Sequence, residues 1–461
     1  MTSRRTRFLA VLLIAALGAS GCSTVSRLNP FKGKEAKEVA EGERISIVPA
    51  DQRLEPTEAL KGVDFALPAP AAAADWPLPG GSLEQSMGHL DAAPGLSVAW
   101  RKGFGKGSKG GAHVTAPPIA AAGRVYVMDA EASVSAYDAQ SGSQVWRTSV
   151  RPSGERRDRE AFGGGLAFSE GKIYVTSGYR LVAQLDAATG AKGWVTRTGE
   201  PIHAAPTVTG GRVIAVALDN TLLTFDTANG TPSWTYQALS ESARILSASS
   251  PAVSGDTVVA SFGSGELVAL RSSNGNDLWN EALSRASRTS ALSEIRDIPG
   301  RPVIYQGDVF AVSHSGVFAA TDLRTGQARW SLPVVGITTP WPAGDVVYVV
   351  SKAGEVVCAS RENGQIYWMT DLNAGFSSKK KRGGFFGIGG QKVTRPIWSS
   401  PLLANNRLIL VGQTGELVAL NAKTGVEERR VKLGSPALIG PIAAGNTIYV
   451  ATDSAQLIAL R

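Results

Sequence analysis

The chain is short of the side chains that most often carry chemistry, with two cysteines, four histidines and four methionines in 461 residues. Cys22 and Cys358 lie far apart, which excludes an adjacent cysteine pair, a Cys-x-x-Cys motif and a disulfide framework. His89, His113, His203 and His314 show no His-x-x-x-His spacing and fall at unrelated places, so nothing indicates a zinc site. Aromatics make up 7% and charged residues 19%. No basic stripe with interleaved aromatics occurs, which argues against nucleic acid as a partner. The formal net charge of +8 includes Arg4, Arg5 and Arg7, and the remainder is a mild excess for so long a chain. Gly163–Gly165 and Phe385–Gly390 lack the strand-to-helix context and the Lys-Ser/Thr pair of a phosphate loop, and read as loops or strand entries.

What the chain has in quantity is glycine, 52 residues, and one repeated phrase. A Gly-led apolar run is followed by a second short apolar run closing on Ala-Leu-Asp or a variant, then a Gly turn, then Trp. The copies run from Gly123 to Trp146, Gly171 to Trp194, Gly211 to Trp234, Gly255 to Trp279, Gly307 to Trp330 and Gly344 to Trp368. A seventh, from Asn406 through Leu420-Asn421 to Gly425, has no Trp after it. An eighth opens at Gly445 and reaches Leu457–Leu460, where the chain stops one strand short. A unit recurring at roughly 40 to 50 residues signals a solenoid, a propeller or an array.

The runs are β-branched, too short for helices, and bounded by Gly, Asn and Asp. Pro118, Pro206, Pro251, Pro302, Pro340, Pro401 and Pro441 stand where each unit's innermost strand should begin, a place that tolerates a missing N–H. Asp138, Asp186, Asp226 and Asp322 share one repeat position and read as turn-shaping acceptors, not as an acid–base pair. The recurring Trp is expected to bury its face between neighbouring units. Leu96–Trp100 is a strand-and-Trp fragment with no Gly-led strands in front of it. The expected fold class is therefore all-β: an eight-bladed β-propeller of four-stranded antiparallel blades, closed by this N-terminal strand completing the last blade, so that no broken edge remains.

Ahead of the repeats, Arg4, Arg5 and Arg7 precede the apolar Phe8–Leu17, small residues and Cys22, the pattern of a secretory signal. Cys after small residues resembles the bacterial lipobox, with Ala19 where Leu is usual, and makes Cys22 the expected lipid attachment site. Residues 1–21 thus read as a lipoprotein signal peptide, 22–74 as a disordered Lys/Glu-rich and Pro/Ala-rich tether, 75–95 as a lead-in, and 96–461 as the propeller. Cys358, in a Val-Val-Cys-Ala strand where the fourth repeat has Ala269, reads as a small core residue. Three connections are long, Arg151 to Phe162, Glu281 to Arg301 and Leu372 to Trp398. Loops on a rigid scaffold commonly carry binding. The last contains Lys379–Arg382 followed by Phe385-Phe386, a basic and aromatic tip suited to anionic headgroups or a partner.

The repeat resembles that of the quinoprotein-type propellers, with Ala-Leu-Asp-x-x-Thr-Gly-x-x-x-Trp as consensus. Within that superfamily, lipobox, tether and eight units together resemble the BamB family, the lipoproteins of the outer-membrane β-barrel assembly machinery. Trp76-Pro-x-x-Gly-Gly81, Arg296–Pro302 and Val309 to Gln327 carry the likeness, which covers 75–461. It implies a scaffold, not an enzyme. Quinoprotein dehydrogenases hold pyrroloquinoline quinone against an adjacent cysteine pair, with calcium and a catalytic Asp, and this chain has no such pair, so no cofactor, metal or catalytic residue is expected.

The resemblance further implies a protein held by its lipid on the periplasmic face of the outer membrane. Its implied partners are the POTRA domains of the barrel-inserting subunit, the other lipoproteins of the machinery and unfolded outer-membrane proteins. The loops that match the family's binding segments are Glu241 to Ser250 and Ala282 to Pro302. They nominate Arg244, Ile245, Leu246, Arg296 and Asp297, with Ile298 as a further apolar anchor; Pro299 stands where the family has a second acid. The alternative from another class is a periplasmic ligand sensor or chaperone using the propeller axis.

Overall fold

Short apolar runs cannot satisfy their own backbone groups, so each pairs with its neighbour in sequence. The computed structural model describes residues 54–154, 161–240, 249–283, 295–376 and 395–461. Among these residues 32 strands form eight four-stranded sheets, with antiparallel pairing and no α-helix. Blades one to seven occupy 119–149, 164–197, 207–237, 252–282, 303–332, 341–371 and 402–432. Blade eight joins three strands of 442–460 to Val98–Gly103. The eight-bladed, N-terminally closed propeller expected from the repeats is thus observed.

Within a blade, strands follow one another outward. First strands of neighbouring blades touch each other and line the axis, whereas outer strands such as Lys192–Arg197 expose alternate residues. In seven blades the first strand begins immediately after the strand-entry proline, as at Pro302 before Val303–Tyr305. Proline suits that place because its missing donor falls outside the ladder. Blade two has glycine instead: a Cβ on Gly165 would lie 2.3 Å from the Ala205 Cβ, so this entry packs directly on the next blade.

Closure is a ladder between the two ends of the chain. Trp100 pairs with Ala459, Arg101 with Ile458, Lys102 with Leu457 and Gly103 with Gln456, after a bulge following Val98. Ser97 N donates to the Arg461 carbonyl at 2.8 Å, and Arg461 N returns a bond to Ser97 at 2.9 Å. These bonds occupy backbone groups that would otherwise form a free edge.

The tryptophans join blade to blade. Gly142, Gly190, Gly230, Gly275, Gly326, Gly364 and Gly425 each lie flat on the Trp of the preceding blade, starting with Trp100 under Gly142. Several indoles also donate across the boundary: Trp146 to the Ala187 carbonyl at 3.0 Å, Trp194 to Thr227 at 2.9 Å and Trp279 to Leu323 at 2.7 Å. The seventh unit's missing Trp has a structural reason. Arg429 occupies its place opposite Ala419, and the blade it faces has no turn between its third and outer strands, because the chain's two ends meet there. The Arg429 guanidinium instead donates to the Gly95 carbonyl at 2.6 Å.

The lead-in closes one end of the axis. Its backbone or side chains bond to every blade: Trp76 with Ala120, Pro77 with Phe168, Gln85 with Thr207, Leu83 with Val253, Glu84 with Ile304, Gly88 with Trp341, Leu90 with Leu403 and Ala93 with Asn446. Trp76 is buried and stacks on Trp341 with centroids 6.3 Å apart. His89 fastens this plug, its Nδ1 2.7 Å from the Pro68 carbonyl and its Nε2 accepting from Asn406 N at 2.9 Å, the pattern of a neutral ring protonated on Nδ1.

The structured part begins earlier than the composition suggests. Residues 54–74, expected as part of the tether, lie along blades six and seven. Thr57 N donates to Ile366 O at 2.8 Å, Ala66 N to Asp345 Oδ2 at 2.9 Å, and Phe65 packs on Tyr367 at 4.7 Å. Phe65 supplies the burial that the Pro/Ala composition around it conceals.

Candidate functional site

Each first strand is entered from the end opposite the plug, so all connections from an outer strand to the next blade emerge on one face. The long connections share it, because they leave Ser149, Ala282 and Asp371 and return to Gly164, Val303 and Leu402. So does the connection from Gln237 to Ala252. Arg244, Ile245 and Leu246 fall within this last connection but outside the described residues, as do Lys379–Arg382, Phe385-Phe386 and Cys22.

Arg296, Asp297 and Ile298 are described, and they do not share one orientation. Arg296 is exposed, with its Cβ and carbonyl packed at Gly265. Asp297 is only 2% exposed; its carbonyl accepts from His314 N at 2.8 Å, and it borders a small crevice with Asn220, Ser249 and Ser261. Ile298 belongs to the apolar cluster of Leu283, Val309 and Val317. Burial of Ile298 draws Asp297 inward and leaves Arg296 as the side chain this part of the loop presents.

His314 holds the loop from beneath. Burial, together with the Lys352 ammonium, keeps its imidazole below the ordinary histidine value, with Lys352 Nζ 2.8 Å from Nε2. The neutral ring is the folded form. As pH falls below ~6.5 the unfolded chain takes up a proton that the fold resists, so this stabilisation is present above that value and lost on descending towards the folded pKa. His314→Gln is therefore expected to lose less melting temperature than the parent between about pH 7.5 and 5; equal losses in a pH-resolved melting series would refute this.

The turn aspartates do what their shared position predicts. Asp186 Oδ1 accepts from Ala188 N at 3.1 Å, Thr189 N at 3.0 Å and Thr189 Oγ1 at 2.9 Å. The bond from Lys172, then those from Thr189, hold its carboxyl down to about 2. Asp138, Asp226 and Asp322 repeat the arrangement. Cys358 is fully buried opposite Trp368, and burial pushes its thiol well up, which makes it a poor nucleophile.

Sequence reasoning named the axis only as the place of the alternative ligand-binding role and picked out none of the residues that line it. Closed at one end by the plug, it opens on the loop face as a chamber of about 500 Å³ whose walls include His113, Phe162, His203, Ile337, Leu438 and Arg301. The scattered histidines partly converge here: the Phe162 ring lies 5.2 Å from His113 and 4.6 Å from His203. The available signal was the residue preceding each strand-entry proline, which faces the axis by symmetry.

A sealed toroid with Asp-Gly turns laid on tryptophans, a plugged axis and one loop-bearing face defines a propeller scaffold of the quinoprotein-like repeat class. The family model described as outer membrane protein assembly factor BamB matches residues 84–159, 130–370 and 386–461. The chain belongs to that family. Outer membrane protein assembly factor BamB of Moranella endobia is 23% identical over 340 residues, which is 73% of this chain and 82% of the relative. The crystal structure of BamB from Moraxella catarrhalis superposes with a TM-score of 0.64 at 19% identity, covering 79% of this chain and 99% of that one. Quinohemoprotein alcohol dehydrogenase from Comamonas testosteroni shares the fold, with a TM-score of 0.64 at 14% identity over 84% of this chain and 80% of that one. Among the described residues no helix is long and apolar enough to cross a membrane.

Proposed function

We propose that the chain is a non-catalytic scaffold of outer-membrane protein assembly that binds the POTRA domains of the barrel-inserting subunit through its loop-bearing face. The observation that carries this reading is the division of the two faces: the N-terminal path covers one end of the axis, and the longest connections converge at the other. Cys22 is the proposed lipid attachment site, anchoring the protein at the periplasmic face of the outer membrane. On the loop face, exposed Arg296 supplies a charge-assisted contact, while Arg244, Ile245 and Leu246 supply the second charge and the apolar anchors of a small interface. Asp297 acts by setting the loop from inside.

The expected result is that the parent chain co-purifies with the barrel-inserting subunit from detergent extracts, and that Arg296→Glu combined with Leu246→Asp abolishes this at unchanged melting temperature. Losing a desolvated charged contact and a central apolar anchor together costs roughly 3–5 kcal/mol, more than a hundredfold in affinity. Full recovery of the subunit with the double variant would remove the loop assignment.

A further inference from the structure

We propose that the axial chamber is a binding site for an organic carboxylate with an apolar body, its charge held by Arg301. The site does not depend on the protein partner proposed above. In seven blades the residue before the strand-entry proline borders the chamber: Pro117, Ala205, Ser250, Thr339, Ser400 and Gly440 in six of them, and Arg301 in the other. One long cation stands among six small or uncharged positions, and their smallness leaves it room.

Arg301 is aimed into this space without a partner. Its Nε is buried with no hydrogen bond, and among the described residues no carboxylate forms an ion pair with its guanidinium. The acid on the wall, Asp453, has its charge near His113 instead. Arg301 is half-buried, and the loss of water around it pulls the guanidinium down to about 10, the direction expected of a cation with little water and no counter-charge beside it. A group in that state is costly to keep unless something fills the site.

The backbone beneath it is built to stay put. Gly300 packs on the neighbouring loop, where a Cβ would lie 2.3 Å from the Thr338 carbonyl. Arg301 N donates to Thr339 Oγ1 at 3.2 Å, and Thr339 N to Ser400 Oγ at 2.8 Å. Arg301 also borders a smaller space of about 40 Å³ lined by Trp76 and Gln85 of the plug, so it stands between the chamber and the closed end of the axis.

The walls decide the ligand class. A guanidinium fork matches a carboxylate bidentately, and a single cation balances one negative charge. Phe162, Ile337 and Leu438 above it favour an apolar body over an inorganic ion. Such a ligand is either a free small acid or the carboxyl end of a polypeptide, which can enter from the open loop face.

The test titrates the full mature protein with N-acetyl-L-phenylalanine, its C-terminal amide and inorganic phosphate by calorimetry. The acid is expected to bind at least about tenfold more tightly than the amide or phosphate, as a charge-assisted pair requires. Arg301→Met should lose that preference, and Arg301→Lys should recover part of it. Without ligand, Arg301→Met should melt no lower than the parent, since it replaces a half-buried cation that has no counter-charge with an apolar chain. Equal binding of acid and amide, tighter binding of phosphate, or an acid preference that survives Arg301→Met would each overturn the proposal. A hexapeptide ending in phenylalanine, as acid and as amide, separates the sources: competition by the peptide acid indicates a chain end, and its exclusion indicates a free acid.

Discussion

Deletion of residues 96–103 is expected to abolish the soluble monomeric ring, the largest effect of any change considered. The third strand of blade eight, Gln456–Leu460, has Leu457, Ile458, Ala459 and Leu460 fully buried, and Val98–Gly103 is what covers its outer edge. Without that strand, a flat apolar edge with unpaired N–H and C=O groups faces water and recruits other chains. The loss spreads to blade one, because Trp100 lies under Gly142 and the Tyr137 hydroxyl donates to the Gly103 carbonyl at 2.8 Å. Light scattering after size exclusion should show aggregate in place of monomer, and a synthetic peptide of residues 96–103 added during refolding should restore part of the monomer. A deleted chain that stays monomeric and melts like the parent would refute the account of closure.

The second large effect sets two glycines of one blade against each other. Gly211 and Gly230 have nearly the same backbone, with φ of +71° and +74°, but different surroundings. A Cβ on Gly211 meets nothing within 4 Å, whereas one on Gly230 lies 2.3 Å from Trp194 Cε3. Gly211→Ala should therefore cost only the left-handed backbone penalty, about 1–2 kcal/mol. Gly230→Ala adds displacement of the indole, about 1–3 kcal/mol more, for a total of about 2–5 kcal/mol. Urea midpoints measure both, and tryptophan emission should shift to the red in the Gly230 variant only. Equal losses would show that the turns need glycine for conformation alone and that the Trp contact is incidental.

These contrasts bear on what a sequence reveals. Pro302, Asp186 and Trp146 recur at fixed repeat positions, so the physics of one copy is the physics of all, and architecture follows from counting. Even the absent Trp of the seventh unit was visible, although its cause, a blade assembled from both ends of the chain, appears only in three dimensions. Features that occur once were hidden. Gln85 gives no local sign that its side chain reaches Pro251 and Thr207, and Phe65 sits in a stretch whose composition reads as spacer. Asp297 looked like a presented acid because a loop acid usually is; whether Ile298 beside it turns inward depends on Leu283 and Val309, which local spacing does not encode. Arg301 was legible in principle, since Arg-Pro stands where other units have a small or uncharged residue before Pro, but only after the axis-facing position is known.

The plug and the closing strand have a consequence for how the protein is made. Residues 73–103 leave the ribosome before any of the repeats, yet their partners include Gly445, Gln456 and Arg461 in the last blade. Contacts of such long sequence separation must await complete synthesis and pay their loop-closure entropy late, which slows folding. Blades one to seven can zip individually as they emerge, because the four-stranded ladder of each is made of consecutive strands. The joining of the two ends of the ring is therefore expected to be the slow step, and until it occurs the nascent polypeptide is an open arc.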